Sequence, residues 1–225
     1  MEVARFRQKR PGPESAIEET VTRRIGEFFA CEEFPVWAAR SVPIGAGIPD
    51  LVIASYKPAL ACLGETNMSM AHILAYLHQV RCARLETITV RVNQSANAVT
   101  QNIGFLVDAG AVLPTGRTYQ LSHSWREILP EIATVEVKVT DWQRGIRQAC
   151  RNRIFAHRSF LALPRETARR IQDQHVFPGL GIGLLSVDDE HGVTVLRRAR
   201  RHQPRVWSYY YQLALLVGTQ FRRGA

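Results

Sequence analysis

The segment Ala133-Thr-Val-Glu-Val-Lys-Val-Thr140 decides the architecture. Its valines at 135, 137 and 139 alternate with Thr134, Glu136, Lys138 and Thr140, the period of a strand with one buried face. Residues two apart share a face about 7 Å apart, so Glu136 and Lys138 project side by side. A carboxylate beside an ammonium, flanked by valines, suits a protected polar site better than open surface. The plainer reading, an ion pair on an exposed sheet, would contribute only about 0–1 kcal/mol. It also leaves a second carboxylate unexplained. Upstream, Gly45-Ala-Gly-Ile-Pro-Asp50 opens the apolar run Leu51-Val-Ile-Ala54, which sets Asp50 at the start of another strand. Pairing the two strands would bring Asp50 next to Glu136 and Lys138.

A chain of 225 residues, 46% hydrophobic and 22% charged, has room for one core, or a core plus one small module. A net charge of +9 and a pI near 9.9 favour a polyanionic partner, nucleic acid above all. Cys31, Cys62, Cys82 and Cys150 show no CxxC pairing and no histidine at ligand spacing. That argues against a zinc site or disulfide framework and fits a cytoplasmic protein. No apolar run is long enough to span a membrane, and residues 1–13 lack the apolar region of a signal peptide.

Residues 1–13 read as a basic flexible arm. Residues 14–30 carry Ile17, Val21, Ile25 and Phe28 at helical spacing, with Ser15 and Glu18 as a capping box. Residues 35–42 read as a strand, turned by Gly45 and Gly47 into the Asp50 strand. The rhythm then changes. Helices are expected over 69–79, 85–92 and 96–109, the last capped by Ser95 and closed by Gly110. A hairpin over 111–121 follows, around Pro114-Thr-Gly-Arg117. The chain is expected to re-enter the first core over 122–132. After the Glu136 strand, Asp141 caps a helix to about 156, whose outer face carries Arg144, Arg147, Arg151 and Arg153. A strand over 159–163 completes a right-handed β-α-β unit. Residues 165–174 form a polar helix. Two short strands, 182–187 and 193–196, flank Asp188-Asp-Glu-His-Gly192, a solvated hairpin turn without the alternating ligands of a metal loop. The arginine-rich stretch 197–205 is open to two readings, a phosphate-binding edge or a solvated basic linker. Residues 207–221 form an aromatic helix that either covers the sheet or joins two copies in a homodimer.

Pro49-Asp50 followed by Glu136-x-Lys138, each on a strand, with a helix and another strand after, resembles the PD-(D/E)xK nuclease superfamily. The resemblance covers residues 14–58 and about 130–198, and the separation of the motif halves implies an insertion. The run of three helices and a hairpin, with Ala98-Val-Thr-Gln-Asn-Ile-Gly-Phe-Leu-Val-Asp-Ala-Gly110 as recognition helix and exit, is similar to a winged helix-turn-helix domain. The expected fold is α/β: a restriction-endonuclease-like mixed central sheet flanked by helices. Its core would comprise 14–58 and 123–205, with the winged domain over 59–122 and a C-terminal helix over 206–225.

The resemblance implies metal-dependent hydrolysis of DNA phosphodiesters. Mg²⁺ takes oxygen ligands and needs only one or two carboxylates, with Mn²⁺ a substitute. Asp50, Glu136 and the backbone carbonyl of Val137 would hold it, and Lys138 would orient the attacking water and stabilise developing charge. Members of that family place an acid on the first helix, here Glu18, with Glu19 or Glu14 as alternatives. Some place a glutamine where Gln148 stands. Arg144, Arg147 and Arg151 would hold backbone phosphates. Asn97, Thr100 and Gln101 on the recognition helix and Arg117 on the wing would meet DNA. Expected partners are DNA and either a second copy or a larger nucleoprotein complex. The competing function is a non-cleaving DNA-binding subunit that keeps the fold as a scaffold; it has no need of Asp50, Glu136 and Lys138 together.

Overall fold

The computed structural model describes residues 3–8, 11–45, 47–63, 66–188 and 190–223. In chain order the elements are β1 (Val3–Arg5), α1 (Pro13–Arg23), β2 (Val36–Arg40), β3 (Leu51–Ser55), α2 (Met68–Gln79), α3 (Leu85–Val92), α4 (Ala96–Asp108), β4 (Val112–Thr115), β5 (Thr118–Leu121) and α5 (His123–Arg126). They continue with β6 (Glu131–Val137), α6 (Trp142–Asn152), β7 (Arg158–Pro164), α7 (Arg165–Ile171), α8 (Val176–Leu180), β8 (Gly183–Asp188), β9 (Gly192–Arg197) and α9 (Trp207–Arg223).

Among the described residues, seven strands form one mixed sheet in the order β1-β2-β3-β6-β7-β8-β9, flanked by helices. β2, β3 and β6 pair antiparallel, and β6, β7 and β8 run parallel. Alternation along β6 explains its central place. Val135 and Val137 turn one way, into a core with Leu51, Ile53 and Phe160 and with Val21 and Ile25 of α1 and its extension. Glu136 turns the other way, toward the face where α6 packs Ile146 and Ala149 on Leu161 and Leu163. With both faces covered, β6 is nearly wholly buried.

The chain divides into two compact units. The first is Met1–Ser55 with Glu131–Arg205 and contains the large sheet. The second is Tyr56–Pro130 with Val206–Ala225. It holds α2, α3 and α4 packed on one another, and the β4–β5 hairpin. Asn67 and Ser95 cap α2 and α4 through their side-chain oxygens. The stretch between the two parts of the first unit leaves and returns at cross-strand partners, Ser55 and Glu131, joined by Glu131 N–H to Ser55 Oγ at 3.0 Å.

Four expectations need correction. The arm is not wholly loose: Val3–Arg5 pairs parallel with β2, and Phe6 N–H reaches Arg40 O at 3.1 Å, while residues 1, 2, 9 and 10 lie outside the described residues. Ser15 does not cap α1 in the expected sense. Proline at 13 starts the helix one turn earlier, so Ser15 is the third helical residue and its Oγ accepts from Gly12 N–H at 3.2 Å. Residues 122–130 stay with the second unit, because Trp125, Ile128 and Leu129 are buried there and Lys57 N–H bonds Ile128 O. Finally, α9 belongs to the second unit. It lies along α2, with Trp207 stacked on His78 at 3.5 Å and the Tyr210 hydroxyl bridging the Leu129 N–H and carbonyl.

Two outcomes follow from this packing. Replacing residues 56–130 by a short Gly/Ser turn and ending the chain at 205 should leave a soluble sheet domain, since Ser55 and Glu131 already face each other as antiparallel partners that a hairpin turn could join. Removing 60–122 alone should aggregate, because it strips α2 from the buried Tyr210, Tyr211 and Leu213 of α9; gel filtration of both truncations distinguishes them. The second outcome concerns acid. Burial, with Arg201 and Arg158 nearby, pushes His157 down to about 3, and burial with Arg126 pushes His78 down to about 4. Both are neutral in the fold, so the unfolded chain takes up more protons below about pH 6.5 and stability should fall as pH drops from there toward 4 and 3. His157 Nδ1 accepts from Ile132 N–H at 3.0 Å. His157→Asn, which offers an acceptor but does not titrate, should therefore show a shallower fall in urea midpoint with acid.

Candidate active site

Asp50 precedes β3 and Lys138 follows β6, so both stand where the antiparallel pair ends. Leu51 lies opposite Val135; one step further along that register sets Asp50 opposite Glu136. The Asp50 carboxylate closes the strand end like a cap. Its Oδ2 accepts from Val137 N–H at 2.7 Å and lies 3.9 Å from Lys138 Nζ. Lys138 Nζ donates to Val137 O at 2.6 Å and sits 3.5 Å from Glu14 Oε1. Three oxygens from three elements thus surround one ammonium. Behind them, Asn152 Nδ2 of α6 donates to Glu136 Oε1 at 2.7 Å. Glu136, Asp50 and Lys138 are 2%, 7% and 8% exposed, which makes them costly to bury unless paired.

The helix above is shaped to this site. A Cβ on Gly145 would come 2.5 Å from Leu161 Cδ1 and 2.9 Å from Lys138 Cγ, so glycine is what lets α6 settle onto the lysine stem. Gly145, Gln148 and Asn152, three and seven positions apart, follow one face of the helix. Gln148, expected to support the site, therefore stands between the residue over Lys138 and the residue bonded to Glu136. Its Oε1 is buried without a hydrogen-bond partner among the described residues.

Glu18 is not brought to this cluster. It is buried against Arg40, with Arg40 Nε to Glu18 Oε1 at 2.6 Å, while Glu19 takes Arg40 Nη1 at 2.7 Å. Burial opposes the Arg40 charge, but these two carboxylates outweigh it and raise its pKa. The first-helix acid that reaches the lysine is Glu14, because α1 begins at Pro13 and presents its first turn to the end of β6. Asn152 and Gly145 were missed by sequence reasoning; their spacing from Gln148 was the available signal.

On the outer side of α6, Arg144, Arg147 and Arg151 are exposed and form no ion pair among the described residues. Arg153 leaves that stripe: its guanidinium turns to the Leu180 carbonyl and to His202 Nδ1. In the second unit, Asn97, Thr100 and Gln101 are exposed on α4, and Arg117 is exposed in the β4–β5 turn.

Oxygen donors of Asp50 and Val137 stand beside Lys138, and Glu136 lies across the strand pair from Asp50; a set of this kind suits a hard divalent ion. A second acidic group is less suited. Asp188, Glu190 and His191 bring ligand atoms within 4.8 Å of one another at the surface. However, hydrogen bonds from Glu190 N–H, Arg165 and His191 occupy Asp188 and hold its carboxyl below the usual range. Asp189 of that turn lies outside the described residues. No helix among the described residues is long and apolar enough to cross a membrane. Comparison of the chain with protein-family models, curated proteins and solved structures finds no match.

The fit of Gly145 has a measurable consequence. Alanine there should lower stability by about 1–3 kcal/mol through overpacking against Leu161 and Lys138. The helix propensity of alanine alone would raise it by about 1 kcal/mol. Urea denaturation gives the sign.

Proposed function

We propose that the protein is a metal-dependent deoxyribonuclease of the PD-(D/E)xK kind. Its first unit is read as the restriction-endonuclease-like core and its second unit as carrying a winged helix-turn-helix. The observation that carries this reading is the convergence of Asp50, Glu136 and Lys138, from two paired strands, in a buried cluster. The order α1, β2, β3, β6, α6, β7, antiparallel through β6 and parallel to β7, supports it. So does the unpaired arginine face of α6 on the same unit.

Asp50, Glu136 and the Val137 carbonyl would hold Mg²⁺ or Mn²⁺, which when bound lowers the pKa of a coordinated water and offsets phosphate charge. The other parts belong to the chain itself. Val137 N–H fixes the Asp50 carboxylate, and Asn152 fixes that of Glu136, so neither must be reorganised when a substrate arrives. Lys138, shielded from solvent, supplies a positive charge for the oxygen that gains charge as the phosphodiester is attacked. Glu14 holds that ammonium from the side of α1. Arg144, Arg147 and Arg151 bind neighbouring phosphates without regard to base. In the second unit, the exposed amides of Asn97 and Gln101, with Thr100, offer hydrogen bonds to base edges, and Arg117 offers a charge to a phosphate.

Incubation with supercoiled plasmid and Mg²⁺, Mn²⁺ or EDTA tests the proposal. Nicked or linear product is expected with either metal and none with EDTA. Asp50→Ala and Glu136→Ala should each abolish cleavage, and Lys138→Ala should reduce turnover more than metal binding. Near wild-type cleavage by Asp50→Ala would sink the site assignment. Binding of duplex without any cleavage would favour the scaffold function instead.

A further inference from the structure

The stretch after β9 has no helix or strand before α9, yet it is not a loose linker. Backbone N–H groups of Arg200, His202 and Arg205 donate to the carbonyls of Gly181, His157 and Ile154 at 3.0, 2.8 and 2.8 Å. The fold therefore fixes where this basic segment runs. Arg197 at the end of β9 and the arginines of this stretch divide into two kinds. Arg197 bonds Asp173, and Arg201 bonds Glu131. Arg198, Arg200 and Arg205 are exposed and have no carboxylate partner among the described residues.

Two of these, Arg200 and Arg205, lie near Arg153 at the C-terminal end of α6. A guanidinium only donates, so Arg153 Nη2, 3.0 Å from His202 Nδ1, makes that nitrogen an acceptor and leaves the imidazole proton on Nε2. Arg153 Nε and His202 Nε2 are both buried without a hydrogen-bond partner among the described residues. Gly181, at φ +67°, lies against the imidazole so closely that a Cβ would come 2.9 Å from Nε2. Arg200 also borders a mainly apolar hollow of about 310 Å³, lined by Phe177, Pro178 and Ile182 as well as Gly181 and Arg198, which Arg153, His202 and Arg205 do not line. Burial, with Arg205 and Arg200 adding repulsion, pulls the Arg153 pKa down; burial, then Arg153, Arg200 and Arg205, does the same to His202. Three guanidiniums near one another on a pinned backbone, with Arg200 and Arg205 exposed and without a carboxylate among the described residues, make a cationic surface suited to an oxyanion.

We propose that Arg153, Arg200, Arg205 and His202 form a second phosphate site for the backbone of duplex DNA, distant from the scissile phosphate. The proposal rests on the nuclease reading for the direction of the DNA. Gly145 touches Lys138 at one end of α6 and Arg153 lies eight residues on, about 12 Å along the helix axis at 1.5 Å per residue. That spans roughly three to four base steps at 3.4 Å each. The exposed Arg147 and Arg151 lie between the two ends, so one strand would run along the helix from the active site to this anchor.

The test is equilibrium binding of the full chain to a short fluorescent duplex in EDTA, over a range of salt concentrations. Arg200→Ala/Arg205→Ala should weaken binding and flatten the plot of log K against log salt by about 2, near 0.9 per lost phosphate contact. Arg200→Lys/Arg205→Lys, which keeps both charges, should retain most of the slope. An unchanged slope in the alanine pair would overturn the site. So would an equal loss in the lysine pair, which would mark a packing role, or an absence of duplex binding by the native chain. Because no cleavage is measured, the two readings fail separately: the expected slope change with no plasmid cleavage in Mg²⁺ upholds the anchor and removes the nuclease.

Discussion

The hydrogen bond from Val137 N–H to Asp50 Oδ2 ties the site to the sheet. It spans the end of the β3–β6 pair, where the backbone ladder stops and a strand-end N–H would otherwise need another acceptor. Using a carboxylate there has two effects. The strand end is closed, and a negative charge is fixed beside Lys138 and opposite Glu136. The same register buries Leu51 and Val135 together against α1. A slip of one residue would turn Glu136 into the apolar core and Val137 toward α6, so the apolar pattern and the site geometry select a single register.

Burying three charged side chains is expensive, and the structure answers each with a specific partner rather than a general polar environment. Asp50 has a backbone donor, Glu136 has Asn152, and Lys138 has a carbonyl and two carboxylates. Arg40, Glu18 and Glu19 form a separate pair system on the α1 face of the sheet. That separation matters for the chemistry. The Glu18 charge is neutralised by Arg40, leaving Glu14 as the acid on α1 that acts on Lys138.

The division into two units has a similarly local cause. The chain departs from the sheet at Ser55 and returns at its cross-strand neighbour Glu131, so β3 and β6 pair as if joined by a hairpin. A segment closed in this way folds its own core without disturbing the strands that carry the site. The C-terminal helix completes that core by covering α2, which explains why Tyr210 and Tyr211 are buried far along the chain from the helix they meet.

Much of this was legible in the sequence where the physics is local. The period of two in 133–140, the apolar run after Asp50, the Ser95 and Asp141 caps and the left-handed Gly110 each follow from a few neighbouring residues, and the structure has each of them. Proximity of Asp50 to Glu136 was also readable, because two strands ending in charged residues gain most by pairing there. What the sequence left open depended on long-range packing. Whether Glu14 or Glu18 meets Lys138 is set by where Pro13 starts α1 and how that helix crosses the sheet. The partner of Glu136 is Asn152, because Gly145 lets α6 approach closely enough to deliver an amide two turns later. Arg153 looks like one more member of a basic stripe until the helix ends and a distant segment folds beneath it. Local patterns select elements; only the tertiary structure, through the finite volume between helix and sheet, decides which charges share a site.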